Sequence, residues 1–371
     1  MEQLKPLEHK FKAFFFSLFR FTLRKGRKDF EPIDGNGLKK VLFLRPEKLG
    51  DMIISFPVFD GLLKRYPHIK ISVMGSPRNY AIIKDDPRFE KIFLYTKNVW
   101  HDLKELRAIR REKYDSVVDM ICDDSVTALF LSQLCAPGKP RIGVGKVRYR
   151  EYYDFNYDHR MGNTGHIIEN TLKLLEAFGI NTDQVDPYAR PYVDQQSLDR
   201  ADEFVRGLRN GNDGTLVVGY NLSAGARTRI WAKEKAHELV GRMLRYRDDC
   251  CVVLITTPSD RPRGDELQSH FRERVFQVPP NLSLVSVSAL ISRLDLLISP
   301  DTSLVHIARS FKVPVVGLYS RFMKNFLLWR PFDQELGAVV SGNDDNIFDI
   351  TVDQVYDTFV KVVEHPELVT K

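Results

Sequence analysis

Short apolar runs alternate with amphipathic stretches along most of this chain, and the clearest instance lies between residues 294 and 319. Leu294 to Ile298 reads as a buried strand. Ser299-Pro300-Asp301-Thr302-Ser303-Leu304-Val305-His306-Ile307-Ala308 follows as a small polar turn opening a helical pattern that ends at Lys312. Val313 to Tyr319 is a second apolar run. Strand, tight turn, helix and strand in that order make a βαβ unit. A turn of this kind leaves free N–H groups and the positive helix end beyond the strand, where they favour an anion such as a diphosphate. Taken alone, the stretch reads more simply as Asp301 or Thr302 capping its helix.

The same alternation runs through the rest of the chain. Strands are expected at Val41–Arg45, Ile69–Met74, Lys91–Leu94, Ser116–Met120 and Arg141–Val144, with helices at about 50–65, 100–112, 125–134 and 166–178. Residues 179–193 are rich in Pro, Asp and Asn and read as an interdomain connection. A second series starts at Leu216–Tyr220 and closes with a helix over about 352–364. Two α/β domains with parallel sheets follow, each Rossmann-like and covered by helices on both faces. The expected division is a basic tail over 1–35, a first domain over 36–190 and a second over 191–371. Ligands of such sheets sit beyond the carboxyl ends of the strands, and two such domains facing each other make a cleft.

A length of 371 residues, 43% hydrophobic and 28% charged, is ordinary for a globular protein with two cores. The net charge of +6 is concentrated at the start, where residues 1–30 hold eight basic and three acidic side chains. That segment also carries Phe11, Phe14, Phe15, Phe16, Phe19 and Phe21 and ends in Arg24, Lys25, Arg27 and Lys28. Drawn as a helix it is amphipathic, too short and too interrupted by Lys12 and Arg20 to span a bilayer. No small-residue cleavage site follows it. It suits the headgroup region of an anionic membrane, and also an ordinary helix packed on the protein's own surface. Basic charge confined to a tail, with no recognition motif, gives no support for nucleic acid as a partner. Cys122, Cys135, Cys250 and Cys251 have no metal-binding spacing and suit buried reduced thiols of a cytoplasmic protein.

Three segments fall on loops after strands. The first, Arg45-Pro46-Glu47-Lys48-Leu49-Gly50-Asp51, sets a carboxylate at a helix start, where it can accept a proton or merely complement the helix dipole. The second, Asn221 to Trp231, places Ser223-Ala224-Gly225-Ala226 beside Arg227 and Arg229. Small residues let backbone approach a ligand and arginines grip phosphate oxygens; solvated surface arginines are the plainer alternative. The third is the Asp301 turn. No D-x-D sequence suited to recruiting a metal stands on these loops.

In this order and spacing the segments resemble glycosyltransferase family 9, the lipopolysaccharide heptosyltransferases. Arg45, Gly50, Asp51 and Pro57 match the first family motif. Ala224-Gly225-Ala226 with Arg229 and Trp231 is similar to the second, and Asp301 to Ala308 to the third, with Ser303 in place of the usual glycine and Ala224 in place of the usual proline. The resemblance spans about residues 40–364. It implies a GT-B architecture, an ADP-heptose donor in the C-terminal domain and a lipid-linked saccharide acceptor, lipopolysaccharide core, in the N-terminal one. Transfer would be inverting, with neither cofactor nor metal required. By matching positions Asp51 would be the general base. Arg229 and Arg227 would hold the diphosphate, joined by Asp301, Thr302 and Ser303 with the helix N-terminus behind them and His306 in support. The enzyme would act at the inner face of the cytoplasmic membrane. A non-catalytic nucleotide-sugar-binding protein and a sugar-nucleotide epimerase remain alternatives on the same scaffold. Every motif lies beyond residue 40, so removing residues 1–30 is expected to leave activity on a soluble acceptor fragment largely unchanged.

Overall fold

The computed structural model describes residues 17, 21–27, 29–122, 124–158, 165–334 and 336–365. The amphipathic helix expected at the N-terminus falls almost wholly outside these residues. The chain divides into two compact units, Met1–Pro187 and Tyr188–Lys371.

The first unit contains β1 (Lys40–Leu44), α1 (Leu49–Ile53), α2 (Phe56–Arg65), β2 (Lys70–Gly75), α3 (Tyr80–Ile83), β3 (Phe89–Leu94) and α4 (Val99–Glu112). It continues through β4 (Ser116–Asp119), α5 (Val126–Cys135), β5 (Arg141–Val144), β6 (Phe155–Tyr157) and α6 (Ile167–Leu172). Its sheet is parallel throughout, in the order β3-β2-β1-β4-β5-β6. Helices cover both faces of such a sheet, so its strands are apolar on both sides; Val41 to Leu44 are fully buried. Phe59 of α2 fixes one face, with its ring edge-on to Phe43 at 5.0 Å and to Phe89 at 5.1 Å.

The helix expected over 50–65 is two helices. Pro57 has no N–H to donate and its ring would strike the carbonyl four residues back, so the chain breaks at Ile54–Ser55 and restarts with the proline in the first turn of α2. The expected helix at 166–178 likewise changes at Lys173 into 3-10 geometry, ending at Gly179 in the left-handed region.

The second unit repeats the order. It holds α7 (Gln195–Arg209), β7 (Leu216–Asn221), α8 (Lys233–Tyr246), β8 (Cys250–Ile255), α9 (Arg261–His270), β9 (Val275–Gln277) and α10 (Leu284–Ile291). After these come β10 (Leu296–Pro300), α11 (Ser303–Ser310), β11 (Val315–Tyr319), α12 (Met323–Trp329), β12 (Ala338–Val340) and α13 (Val352–Glu364). The sheet is again parallel, in the order β12-β11-β10-β7-β8-β9. Val355, Phe359 and Val362 of α13 join its core with Leu239, Val240 and Met243 of α8. Thr351 and Gln354 cap α13 reciprocally, the Gln354 N–H bonding Thr351 Oγ1 and the Thr351 N–H bonding Gln354 Oε1.

The basic segment near the start is part of the first unit. Arg24 pairs with the fully buried carboxylate of Asp154 at 2.5 Å and donates to the Lys139 carbonyl at 2.9 Å. The Arg24 carbonyl accepts from Gln133 and from the buried Arg141. Gly26 runs so close to the Tyr153 carbonyl that a Cβ would lie 1.9 Å from its oxygen, and the Arg27 N–H also bonds Asp154. Lys25 pairs with Glu151 at 2.7 Å. Removal of residues 1–30 therefore strips a clamp from β5 and β6, contrary to the sequence expectation. Arg24→Ala should cost about 3 kcal/mol, because it leaves the Asp154 charge buried without its cation. Urea unfolding of the full chain, followed by a probe in the first unit, measures this.

Candidate active site

In each sheet the strand order reverses once, between β1 and β4 and between β7 and β10. The loops leaving the carboxyl ends of strands at such a switch point line a crevice where ligands bind in doubly wound folds. All three sequence motifs lie at these two places.

In the first unit the organising group is Arg45, at the end of β1 with no exposed surface. Its Nε donates to the Asp51 carbonyl at 2.9 Å and to Ser55 Oγ at 3.0 Å. One terminal nitrogen donates to Glu47 Oε2 at 2.6 Å and to the Met120 carbonyl beyond β4. The other faces Asp51 Oδ1 at 3.9 Å. Burial opposes the charge of Arg45, but Glu47 and Asp51 more than offset it, and its pKa is raised. Asp51 stands in the first turn of α1, where its Oδ2 accepts the Lys48 N–H at 3.0 Å. One carboxylate oxygen thus closes the helix start, and the other is turned to Arg45. Both roles weighed from sequence, helix-terminus acid and reactive carboxylate, are compatible with this geometry.

Sequence reasoning missed the charges under this loop. Asp119 at the end of β4 and Lys146 after β5 form a buried pair at 2.9 Å. The Tyr153 hydroxyl donates to Asp119 at 2.5 Å, and Lys146 donates to the Ile121 carbonyl. Glu47 was likewise passed over. Burial pushes its carboxyl up to about 7 against the pull of Arg45, with repulsion from Asp51 and Asp119 adding to the rise. The only sequence signal for Glu47 is a charged residue three positions after a strand, in the glycine-containing turn that follows it.

In the second unit Asn221, at the end of β7, ties the two loops together. Its side-chain N–H₂ donates to Ser299 Oγ at 3.0 Å and to Thr302 Oγ1 at 3.2 Å, and its oxygen accepts the Ser223 N–H. Thr302 is the N-cap residue of α11, yet its hydroxyl bonds Asn221 and Ser299, and no side chain caps the helix. Asp301 does not cap it either. Arg229 donates to the Asp301 carbonyl at 2.9 Å and pairs with its carboxylate at 3.1 Å. Arg229 and the Asp301 turn are therefore brought together, with the free N–H groups of α11 beside them. Ser303 occupies the first helical position. Arg227 is exposed, and its guanidinium makes no hydrogen bond or ion pair among the described residues; only its carbonyl is engaged, accepting the Ile230 N–H at 3.1 Å. His306 is buried one turn further along, with its ring 5.5 Å from that of Trp329.

Trp231 is a structural residue. It is buried, and its indole N–H bonds the Ile350 carbonyl at 3.0 Å. Arg263, unmarked in the sequence, bonds the carbonyls of Leu222 and Trp231 and so braces both ends of the arginine loop. No cluster of three His, Cys, Asp or Glu side chains able to hold a metal occurs among the described residues.

The model of glycosyltransferase family 9 (heptosyltransferase) matches residues 103–347. This chain belongs to that family. The match includes Arg227, Arg229 and the Asp301 turn; Asp51 lies before it. Lipopolysaccharide core heptosyltransferase OpsX of Haemophilus influenzae is 23% identical over 322 residues, 85% of this chain and 88% of that protein. Among solved structures, a family 9 glycosyl transferase from Veillonella parvula superposes with a TM-score of 0.70 at 19% identity, covering 88% of this chain and 97% of its own. E. coli heptosyltransferase WaaC with ADP gives 0.66 at 18% identity, covering 89% and 99%. The two parallel sheets are those of the GT-B heptosyltransferase fold.

The raised pKa of Glu47 makes stability depend on pH. The folded protein holds this proton more tightly than the unfolded chain, whose carboxyl has the ordinary value near 4.5. The contribution is full below that value and is lost as pH rises through about 7. Glu47 keeps 29% of its side-chain surface, which discounts the effect. Relative to Glu47→Gln, the wild-type protein should lose on the order of 1–2 kcal/mol between pH values near 4.5 and near 8. Urea titrations of both proteins across that range check it.

Proposed function

We propose that this glycosyltransferase moves a heptose from ADP-heptose to a hydroxyl of a lipid-linked saccharide of the lipopolysaccharide core type, with inversion at the anomeric carbon. The observation that carries the donor reading is the Arg229–Asp301 contact beside the uncapped start of α11. A half-exposed guanidinium and free helix N–H groups at one strand end are what a departing diphosphate needs. The acceptor oxygen attacks the anomeric carbon and its proton passes to Asp51. The bond from that carbon to the diphosphate oxygen breaks, and ADP leaves with the negative charge, met by Arg229, the Thr302–Ser303 backbone and, once the donor is present, Arg227. His306 supports α11 through its packing on Trp329. No metal is needed in this reading, because fixed cations and N–H dipoles take up the charge.

The lipid-linked acceptor places the enzyme at the inner face of the cytoplasmic membrane. The phenylalanine-rich segment before residue 24 would lie in the headgroup region. No helix among the described residues is long and apolar enough to cross a membrane.

Asp51→Asn keeps an acceptor for the Lys48 N–H but removes the base. It should lower turnover about 10²–10⁴-fold with ADP affinity nearly unchanged. Single-turnover assays with ADP-heptose, together with ADP calorimetry, test this; retention of half the wild-type rate would leave Asp51 as a helix-terminus charge alone.

Arg229→Ala should weaken ADP binding by roughly 1.5–3 kcal/mol and adenosine binding much less. Equal losses for both ligands would mean that the arginine holds the loop and not the diphosphate.

A further inference from the structure

Helix α4 has a face that nothing else among the described residues of the first unit covers. Trp100 is 82% exposed, Val99 68% and Leu103 37%. Along the same face stand Lys104, Arg107, Arg110 and Arg111, all exposed, with Lys97 and Lys113 at the two ends. Trp100, Lys104, Arg107 and Arg111 follow the spacing i, i+4, i+7, i+11, one line along a helix. None of these six cations forms an ion pair among the described residues.

The acids of the helix are turned inward and occupied. Asp102 accepts from the Thr96 N–H and hydroxyl. Glu105 accepts the Leu94 N–H. Glu112 pairs with both Lys40 and Lys91. The outward surface therefore carries only positive charge, with an indole and two aliphatic side chains at its N-terminal end. An ordinary solvated helix mixes signs outward and keeps a tryptophan covered. A face of cations edged by an exposed indole fits a lipid headgroup layer, where the ring sits at the apolar boundary and lysine and arginine meet anionic phosphates.

Position supports the same partner. The strands of the first sheet are parallel, so α4, which starts after the carboxyl end of β3, presents Trp100 at the same sheet edge as the Asp51 loop. Only β2 separates β3 from β1, a spacing of roughly 10 Å. At about 1.5 Å per residue, the helix offers roughly 21 Å of charged face.

We propose that the exposed face of α4 is a docking surface for anionic phospholipid, with Trp100, Val99 and Leu103 entering the interface and Lys104, Arg107, Arg110 and Arg111 resting on headgroup phosphates. This rests on the reading of a lipid-linked acceptor and adds a second contact, independent of the N-terminal segment.

Tryptophan fluorescence reads α4 directly. Trp100 is exposed, whereas Trp231 is buried. The full-length protein is mixed with vesicles of phosphatidylglycerol and brominated phosphatidylcholine at low salt. Wild-type emission should shift to the blue and be quenched, and Trp100→Phe should lose most of that quenching. Lys104→Glu/Arg107→Glu/Arg111→Glu should lose the Trp100 quenching as well, since each charge near an anionic surface is worth about fivefold in partitioning. Vesicles lacking phosphatidylglycerol should quench none of the three proteins. Equal quenching in wild type and Trp100→Phe, undiminished quenching in the triple variant, or equal quenching by uncharged vesicles would each overturn the proposal. Turnover of ADP-heptose on a soluble acceptor fragment, with ADP affinity, is measured for the same proteins. Normal turnover without quenching sinks the docking surface alone, and quenching without turnover sinks the transferase reading alone.

Discussion

A parallel sheet covered on both faces has a dry interior, and Arg45 puts a cation at the edge of it. The guanidinium has no exposed surface, so its donors depend on acceptors within the fold; Nε and one terminal nitrogen find them, and the other terminal nitrogen faces Asp51 Oδ1 at 3.9 Å without a hydrogen bond. Those acceptors are the Asp51 carbonyl, Ser55 Oγ, the Glu47 carboxylate and the Met120 carbonyl. Four separate points of the chain are thereby drawn around one side chain. The loop over 46–55 wraps the guanidinium, and the strand after the crossover, β4, is held to β1 at its carboxyl end. The location of the Asp51 carboxylate is a consequence of that wrapping. The Pro57 break serves it too: by ending α1 early, the proline leaves Ser55 where its hydroxyl can accept from Arg45 and donate to the Asp51 carbonyl.

The two units solve opposite electrostatic problems at equivalent places. In the first, a buried cation is surrounded by carboxylates, and the arrangement is fixed because undoing it would strand a charge in a low dielectric. In the second, a carboxylate with little exposure is met by Arg229, which keeps 38% of its side-chain surface. An ion pair this open to water is worth little by itself, so the arginine can turn from Asp301 toward an incoming anion at small cost. The Asn221 hub makes this possible. By holding the Thr302 hydroxyl against Ser299, it prevents Thr302 from capping α11 and leaves the helix start available. A rigidly held carboxylate and a releasable cation would suit the proposed transfer, in which one group must be aimed and the other must accept and then let go of a product.

The sequence disclosed the alternation of elements and the loops at the switch points because both depend on local signals: apolar runs of strand length, helical periodicity, and small residues after a strand. It did not disclose α7, whose apolar face is three buried residues, Ser197, Ala201 and Val205, two of them small. Nor did it show β6 and β12, each three residues long. Trp231 read as part of a ligand motif and is a core side chain, since nothing local distinguishes an indole that bonds the Ile350 carbonyl 119 residues away. The Asp119–Lys146 pair and the Arg263 brace were invisible for the same reason. Each is made by tertiary contact between residues that look like ordinary surface charges one at a time.

The distribution of basic residues has to be reread in the same terms. By composition, the excess positive charge belongs to the N-terminal segment, and a surface role for all of it follows. The fold divides it instead. Arg24 and Lys25 pair with Asp154 and Glu151, so half of the basic group Arg24, Lys25, Arg27 and Lys28 is tied to the segment between β5 and β6. Around α4 the reverse happens. Within α4 itself four bases stand against three acids, and composition alone would leave the helix near balance, but inward pairing of Asp102, Glu105 and Glu112 leaves an outward face with one sign. A membrane responds to the field at the protein surface, which decays within about 10 Å at ordinary salt. What decides attraction is therefore which charges the fold leaves outside, and on that criterion the helix carries as strong a claim as the segment whose composition first suggested it.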